Sequence, residues 1–263
     1  MTWPVRFSQW LGQALLPPRC LVCELPGDGG QDLCRACRAA LPWNQPACHA
    51  CALPLPGPGP GSEPDPGSRV RRGAVPAASG LRCGRCLRRP PPLDATVAAL
   101  AYRFPLDRLL PRFKFHGDLA AGRLLGQLLA DALAETSPGA EGPQAIVPVP
   151  LHPRRLRERG YDQALELARP LGRALGLPVR GGGLRRVRAT LAQSTLGAAA
   201  RHGNVRGAFA AAPGPWPERV ALLDDVMTTG ATLGECARAL RRAGVRRVDA
   251  WVVARAPRPG TEG

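Results

Sequence analysis

Residues 220–232, VALLDDVMTTGAT, constrain this chain more than any other stretch. Val220 to Leu223 are four consecutive apolar residues, the length and character of a strand buried on both faces. Asp224 and Asp225 follow where that strand is expected to end. A short loop of hydroxyl-bearing and small residues comes next: Thr228, Thr229, Gly230, Ala231 and Thr232. Leu233, Cys236, Ala237 and Leu240 then recur at i, i+3, i+4 and i+7, one face of a helix. The unit is strand, acidic pair, phosphate-sized loop, helix.

That order has chemical consequences. In open α/β sheets, ligands bind beyond the carboxyl ends of the strands. A helix N-terminus offers backbone N–H groups and a favourable dipole to an anion, best to phosphate. Gly230 permits close backbone approach. Carboxylates accept hydrogen bonds from vicinal hydroxyls, as an acidic residue does on the ribose in dinucleotide folds. A phosphate a few ångströms from a diol fits both halves, and ribose 5-phosphate is the simplest such group. An apolar run ending in two aspartates also resembles the Mg²⁺-binding strand of P-loop NTPases. That reading requires G-x-x-x-x-G-K-[ST] elsewhere. The single lysine, Lys114, is preceded by Phe113, so it is excluded. An ordinary βα unit with a polar turn is the other alternative, and the ordered run DD-x-x-TTG-x-T argues against it.

The C-terminal two thirds repeat the pattern. Thr96–Tyr102, Ala145–Val147 and Val248–Val253 read as strands. Leu125, Leu128, Leu129, Ala132 and Leu133 share one helical face, as do Ala164, Leu167, Ala168, Leu171 and Leu175. The expected fold class is α/β, a parallel sheet with helices on both faces. Pro148-Val149-Pro150 stiffens a turn that carries Arg154, Arg155, Arg157 and Arg159, suited to bidentate contact with a pyrophosphate or to solvation as a basic surface.

Eight of nine cysteines form four C-x-x-C pairs: Cys20/Cys23, Cys34/Cys37, Cys48/Cys51 and Cys83/Cys86. Four such pairs read as two zinc sites of four cysteines each, structural and closed. A disulfide framework would need an oxidising compartment, for which there is no targeting signal. Adjacent and interleaved pairings are both compatible with the spacing. His49 is not needed as a ligand, and Cys236 reads as core. Residues 53–80 are rich in Pro, Gly and Ser and are expected to form a flexible loop within the second site. Pro90–Pro92 mark the expected boundary: residues 1–92 for the cysteine-bearing part and 93–263 for the α/β part.

Lys+Arg number 36 against 20 Asp+Glu, a formal charge of +16. Eight thiolates with two Zn²⁺ would lower this by four, leaving the protein strongly basic. Such a balance favours polyanions, although a near-absence of lysine also fits GC-rich coding. No run of eighteen apolar residues is present, so no membrane insertion is expected. Phe7, Trp10, Leu11, Ala14 and Leu15 make a short amphipathic stretch, expected to pack on the next domain.

The segment from Asp224 to Thr232 is similar to the phosphoribosyl-pyrophosphate (PRPP) motif of type I phosphoribosyltransferases. IVPVPLHPRRLRERGYDQALELA (Ile146–Ala168), the scattered Arg188, Thr190, Gln193, Arg201, Asn204 and Phe209, and the N-terminal cysteines together resemble the ComF family, competence-associated phosphoribosyltransferase-like proteins with an N-terminal double zinc ribbon. The resemblance implies a type I phosphoribosyltransferase-like sheet. It implies a PRPP site formed by Asp224, Asp225, Val226, Met227, Thr228, Thr229, Gly230, Ala231 and Thr232, with the two aspartates as catalytic residues in any transfer. It implies further contacts from Arg154, Arg159, Arg188, Gln193, Arg201 and Lys114, and a mobile loop over the ligand around residues 188–204. The family pattern has asparagine at Asp162, which is expected here to cap the following helix. Implied cofactors are two structural Zn²⁺ and Mg²⁺ with PRPP. Implied partners are single-stranded DNA and a competence helicase, in the cytoplasm. Two functions follow: a PRPP-binding protein of DNA uptake or utilisation, or an active phosphoribosyltransferase with an unidentified acceptor.

Overall fold

The computed structural model describes residues 17–56, 80–136, 142–188 and 205–257. The amphipathic N-terminal stretch, residues 57–79 of the Pro/Gly-rich insert, and Thr190, Gln193, Arg201 and Asn204 lie outside them. In chain order the elements are α1 (Arg35–Ala39), α2 (Gly84–Arg88), β1 (Thr96–Ala101), α3 (Leu106–Phe115), α4 (Leu119–Thr136) and β2 (Ala145–Pro148). There follow α5 (Pro153–Arg159), α6 (Gln163–Leu175), β3 (Leu184–Arg186), β4 (Phe209–Ala211), β5 (Arg219–Met227), α7 (Ala231–Arg242) and β6 (Arg247–Arg255). β1, β6, β5 and β2 form one sheet in that order, every pair parallel, and β3 and β4 form a small antiparallel ribbon. The expected mixed α/β class is observed.

The strand segments Val220–Leu223 and Ala250–Ala254 are apolar throughout because both faces are covered. Ala221 and Leu223 of β5 and Trp251 and Val253 of β6 pack with α3, α4 and α6; Val220, Leu222, Val248 and Ala250 pack with α7, β3 and β4. Helix α7 buries Leu233, Cys236 and Leu240, the stripe read from the sequence. Each leucine so buried stabilises the fold by about 1.5–3 kcal/mol. The cysteine pairs add a wall to each face. Cys20 and Cys34 join the α4 side, whereas Cys48, Cys51, Cys83 and Cys86 join the α7 side. The chain between them runs along the outer edge of β1: Asn44 N–H donates to Ala99 O, Ala101 N–H to Pro42 O and Thr96 N–H to His49 O. These bonds satisfy an edge that would otherwise be open.

Two expectations need correction. Strand β5 does not end at Leu223. Its pairing with β6 continues to Met227 opposite Arg255, so Asp224 and Asp225 are strand residues. The basic run after β2 is a helix, α5, because Pro153 stands in its first turn and the His152 side chain accepts from Arg154 N–H. The β3–β4 ribbon, with Leu184 and Phe209 buried, flanks the stretch expected as a mobile loop, of which residues 189–204 lie outside the described residues. Asp162 caps α6 as expected, accepting from Leu165 N–H, and its other oxygen accepts from Leu151 N–H, both at 3.1 Å.

One irregularity positions the site. Side chains alternate along β5, β6 and β1 until one shared row, where Val253 with Ala254 and Ala99 with Leu100 both pack on the α4 side. In β5 the register passes from Asp224↔Val252 to Val226↔Ala254, stepping over Asp225. Breaks of this kind re-aim side chains next to functional sites.

Candidate functional site

The two aspartates point to opposite faces of the sheet. Asp225 is buried on the α4 side, where Lys114, from the last turn of α3, reaches its carboxylate at 2.9 Å. Asp224 lies on the α7 side, with Cys236 and Arg186 in electrostatic reach. Its Oδ1 accepts from Asp225 N–H at 2.8 Å. Desolvation first, then repulsion from Asp225, pushes the Asp224 carboxyl up to about 8, against the pull of Lys114. The site thus presents one carboxylate paired with an ammonium and one carboxyl held towards its neutral form, which can donate as well as accept a hydrogen bond.

Beside Asp225 opens a cavity of about 370 Å³ lined by Lys114, Phe115, Arg155, Glu158, Arg159 and Tyr161. Arg159 stacks over the Phe115 ring at 4.7 Å and donates to Gln163 Oε1 at 2.9 Å. Burial lowers its pKa, while the charge of Asp225 supports the cation. Lys114, Arg159 and Asp225, far apart in sequence, thus converge. Arg154 faces solvent and pairs with Glu158 at 2.9 Å. Arg188 is exposed just beyond β3.

The loop that follows β5 is held from behind. Gly230 adopts φ +77°, and a Cβ there would stand 2.5 Å from Met227 Cε, so the turn requires glycine. Ala231 N–H donates to Thr229 Oγ1 at 3.3 Å where α7 begins. Arg255, 1% exposed, donates to Met227 O at 3.0 Å, Thr228 O at 2.6 Å and Cys51 O at 2.9 Å. One guanidinium therefore joins the loop to the second cysteine cluster. Arg255 was not singled out in the sequence. Its signal was an arginine closing an otherwise apolar strand, WVVAR, at the same sheet edge as the aspartates.

The cysteines settle into two groups, Cys20/Cys23/Cys34/Cys37 and Cys48/Cys51/Cys83/Cys86, with the ligand atoms of each within 4.8 Å of one another. The pairing is adjacent, not interleaved. Cys37 N–H points at Cys34 Sγ and Cys83 N–H at Cys48 Sγ, at 3.4 and 3.3 Å. Against the desolvation that opposes it, backbone N–H donors bring one thiol of each group, Cys20 and Cys83, to about 6. Burial and neighbouring thiols push Cys37, Cys51 and Cys86 upward. Four crowded thiols resist joint ionisation unless a cation sits among them, which fits a tetrahedral Zn²⁺ site.

The comparisons with known proteins agree with this geometry. A family model described as a double zinc ribbon domain matches residues 11–87. Competence protein F of Haemophilus influenzae is 40% identical over 179 residues, 66% of this chain and 78% of that protein. DNA utilization protein YhgH of Escherichia coli K12 is 32% identical over 243 residues, 91% of this chain and 98% of that protein. Competence protein ComFC of Streptococcus pneumoniae is 28% identical over 159 residues, 60% and 67% of the two chains. A double zinc ribbon packed on a parallel α/β sheet is the class these features define, and the chain belongs to the ComF family. Among the described residues, no helix is long and apolar enough to cross a membrane.

Proposed function

We propose that this protein binds PRPP with Mg²⁺ at the C-terminal edge of the sheet and serves DNA uptake or utilisation in the cytoplasm. The observation that carries the reading is the junction of β5 and α7. There an acidic pair, a glycine-hinged hydroxyl loop and a helix start follow in the order a phosphoribosyl group requires. Asp224 and Asp225 hold the ribose hydroxyls, and Thr228–Thr232 hold the 5′-phosphate. Lys114, Arg155 and Arg159 face the pyrophosphate from the 370 Å³ cavity. Hard carboxylate oxygens suit Mg²⁺, which would supply charge neutralisation of the pyrophosphate. Arg188, Gln193 and Arg201 belong to the segment assigned here to closing over the ligand. In this reading residues 1–92 are the zinc-ribbon part and 93–263 the ligand-binding part.

The names of the relatives, competence protein F and DNA utilization protein, support the cellular role. Single-stranded DNA and a DNA-handling helicase are the partners this role calls for, and the basic charge suits the first. A second reading is phosphoribosyl transfer to an acceptor, favoured by the carboxylates at the place where positive charge would develop on the anomeric carbon.

Titration calorimetry with Mg²⁺–PRPP tests the binding reading. Wild type is expected to bind, and the Asp224→Asn, Asp225→Asn double variant to lose about tenfold or more in affinity; equal affinity would remove the site assignment. Pyrophosphate release from PRPP, measured with nucleobases and small amines as acceptors, separates the two readings. Acceptor-dependent turnover means transfer, and binding without turnover means a PRPP-responsive module.

A further inference from the structure

On the α7 face lies a larger cavity, about 830 Å³, most of whose lining the phosphoribosyl reading does not use. It runs between α2, at the second cysteine cluster, and the length of α7 from Ala231 to Arg242. Neither Asp224 nor Asp225 lines it; it shares with the proposed phosphoribosyl site Met227 and the rim at Thr229–Ala231. We propose that this groove binds the phosphodiester backbone of a single-stranded nucleic acid. The proposal rests on the DNA role given above and names the surface that carries it.

The lining is arginine on both walls. Arg85 and Arg89 stand on the α2 side, Arg238 and Arg242 on the α7 side, with Arg206 and the buried Arg255 completing it. Arg238 and Arg242, four residues apart in α7, are neighbours on one helical face, about 5–6 Å apart at Cβ, while Arg89 follows directly on α2 as its C-cap. Glu235 is the one carboxylate in the lining among the described residues, and it is taken by Arg238 and by Gly207 N–H. Some arginines elsewhere on the surface have acids beside them: Arg112 pairs with Asp118, Arg169 with Glu166 and Arg241 with Asp94. No such ion pair is found for Arg85, Arg89, Arg206 or Arg242 among the described residues. A zinc centre ligated by four thiolates carries two negative charges, which with Glu235 still leaves the six arginines in excess.

Shape and chemistry select the ligand. A cavity of this volume admits a few linked groups, not a duplex. Its lining holds no aromatic ring among the described residues, so bases have no stacking platform. Contact is then through phosphates, by bidentate guanidinium bonds, and is independent of sequence. Pro90, Pro91 and Pro92 keep the floor of the groove stiff.

The test uses zinc-loaded full-length protein and a fluorescent oligothymidylate, read by anisotropy over a salt series. Arg89→Gln with Arg242→Gln removes one exposed charge from each wall. Arg169→Gln with Arg173→Gln removes two exposed charges from α6, on the opposite face. The groove variant is expected to bind at least about tenfold more weakly and to lose about 0.7 of logarithmic salt slope per lost phosphate contact. The α6 variant should change little, and both should keep wild-type PRPP affinity. Equal weakening by both variants would overturn the proposal, leaving only general electrostatics. Loss of PRPP affinity in the groove variant, with DNA binding kept, would overturn it by assigning the cavity to the phosphoribosyl site. Failure of wild type to bind the oligonucleotide at low salt would remove the DNA reading itself, while calorimetry on PRPP would still stand or fall separately.

Discussion

Lys114, the only lysine in the chain, places its ammonium 2.9 Å from Asp225, the aspartate on the α4 face of the central strand. Both side chains are largely buried, and Lys114 also lines the cavity that holds Arg159. A compact ammonium on a flexible stem fits beside a strand where a planar guanidinium would need more room. This contact ties α3 to the edge of the sheet where the acidic pair lies.

Removing one partner should therefore leave a buried charge exposed to its neighbours. Lys114→Met is expected to lower unfolding free energy by about 2–3 kcal/mol in urea titrations, somewhat below the cost for a fully buried pair. The double variant Lys114→Met, Asp225→Asn should recover part of that loss. Additive losses in the double variant would mean the contact carries no coupling.

Asp224 makes stability depend on pH. Its carboxyl is raised from 3.8 to about 8 in the folded protein, so between these values the native state holds a proton that the unfolded chain has released. The contribution is fully present below about pH 4 and is lost as pH rises through about 8. Zinc-loaded wild type should thus lose stability relative to Asp224→Asn between pH 5 and pH 8. The check is the difference in denaturation midpoint between the two proteins at each pH. A constant difference would mean Asp224 is ionised throughout.

Arg255 is expected to matter as a link between metal and loop. Arg255→Met leaves the carbonyls of Cys51 and Thr228 without this donor, while Met227 O keeps Ala256 N–H, at a cost of about 1–3 kcal/mol for each orphaned group that water cannot reach. Arg255→Lys should rescue only partly, because one ammonium cannot span the same fork. PRPP affinity should fall in both variants even under conditions where circular dichroism shows a folded protein. Unchanged affinity in folded Arg255→Lys would show that the loop keeps its shape without the fork.

The cysteine clusters should hold about two zinc equivalents per chain by elemental analysis. Since Cys20, Cys48 and Cys86 are core side chains of the two faces, chelation should cost cooperative unfolding as well as metal. Cys86→Ser should release one equivalent and Cys34→Ser the other. The double variant Cys34→Ser, Cys86→Ser should release both equivalents, and release of only one would contradict the adjacent pairing.

Much of this was legible in the sequence because buried parallel strands and amphipathic helices leave strong periodic signals. The stripe Leu233, Cys236, Leu240 and the strand Val248–Val253 fall where expected. The four C-x-x-C pairs name their own chemistry, but not their partners, since pairing is decided by the path of the chain along β1. The end of β5 was misread because aspartates are rare inside strands; here the β6 register and Lys114 support them. Long-range convergence had no local trace. Nothing near Phe113 or Phe115 announces that Lys114 meets Asp225, and nothing near Arg89 announces Arg242 across a groove. Such contacts depend on how two covered faces of one sheet bring distant segments to a common edge.

Hydrogen–deuterium exchange of the zinc-loaded protein, with and without saturating Mg²⁺–PRPP, tests the central claim most directly. The account predicts slowed exchange at amides 226–234 and 153–161, where the loop and the pyrophosphate-facing helix lie, with the sheet interior unchanged. Binding of PRPP that leaves exchange at 226–234 unaltered would contradict it, because the ligand would then sit elsewhere.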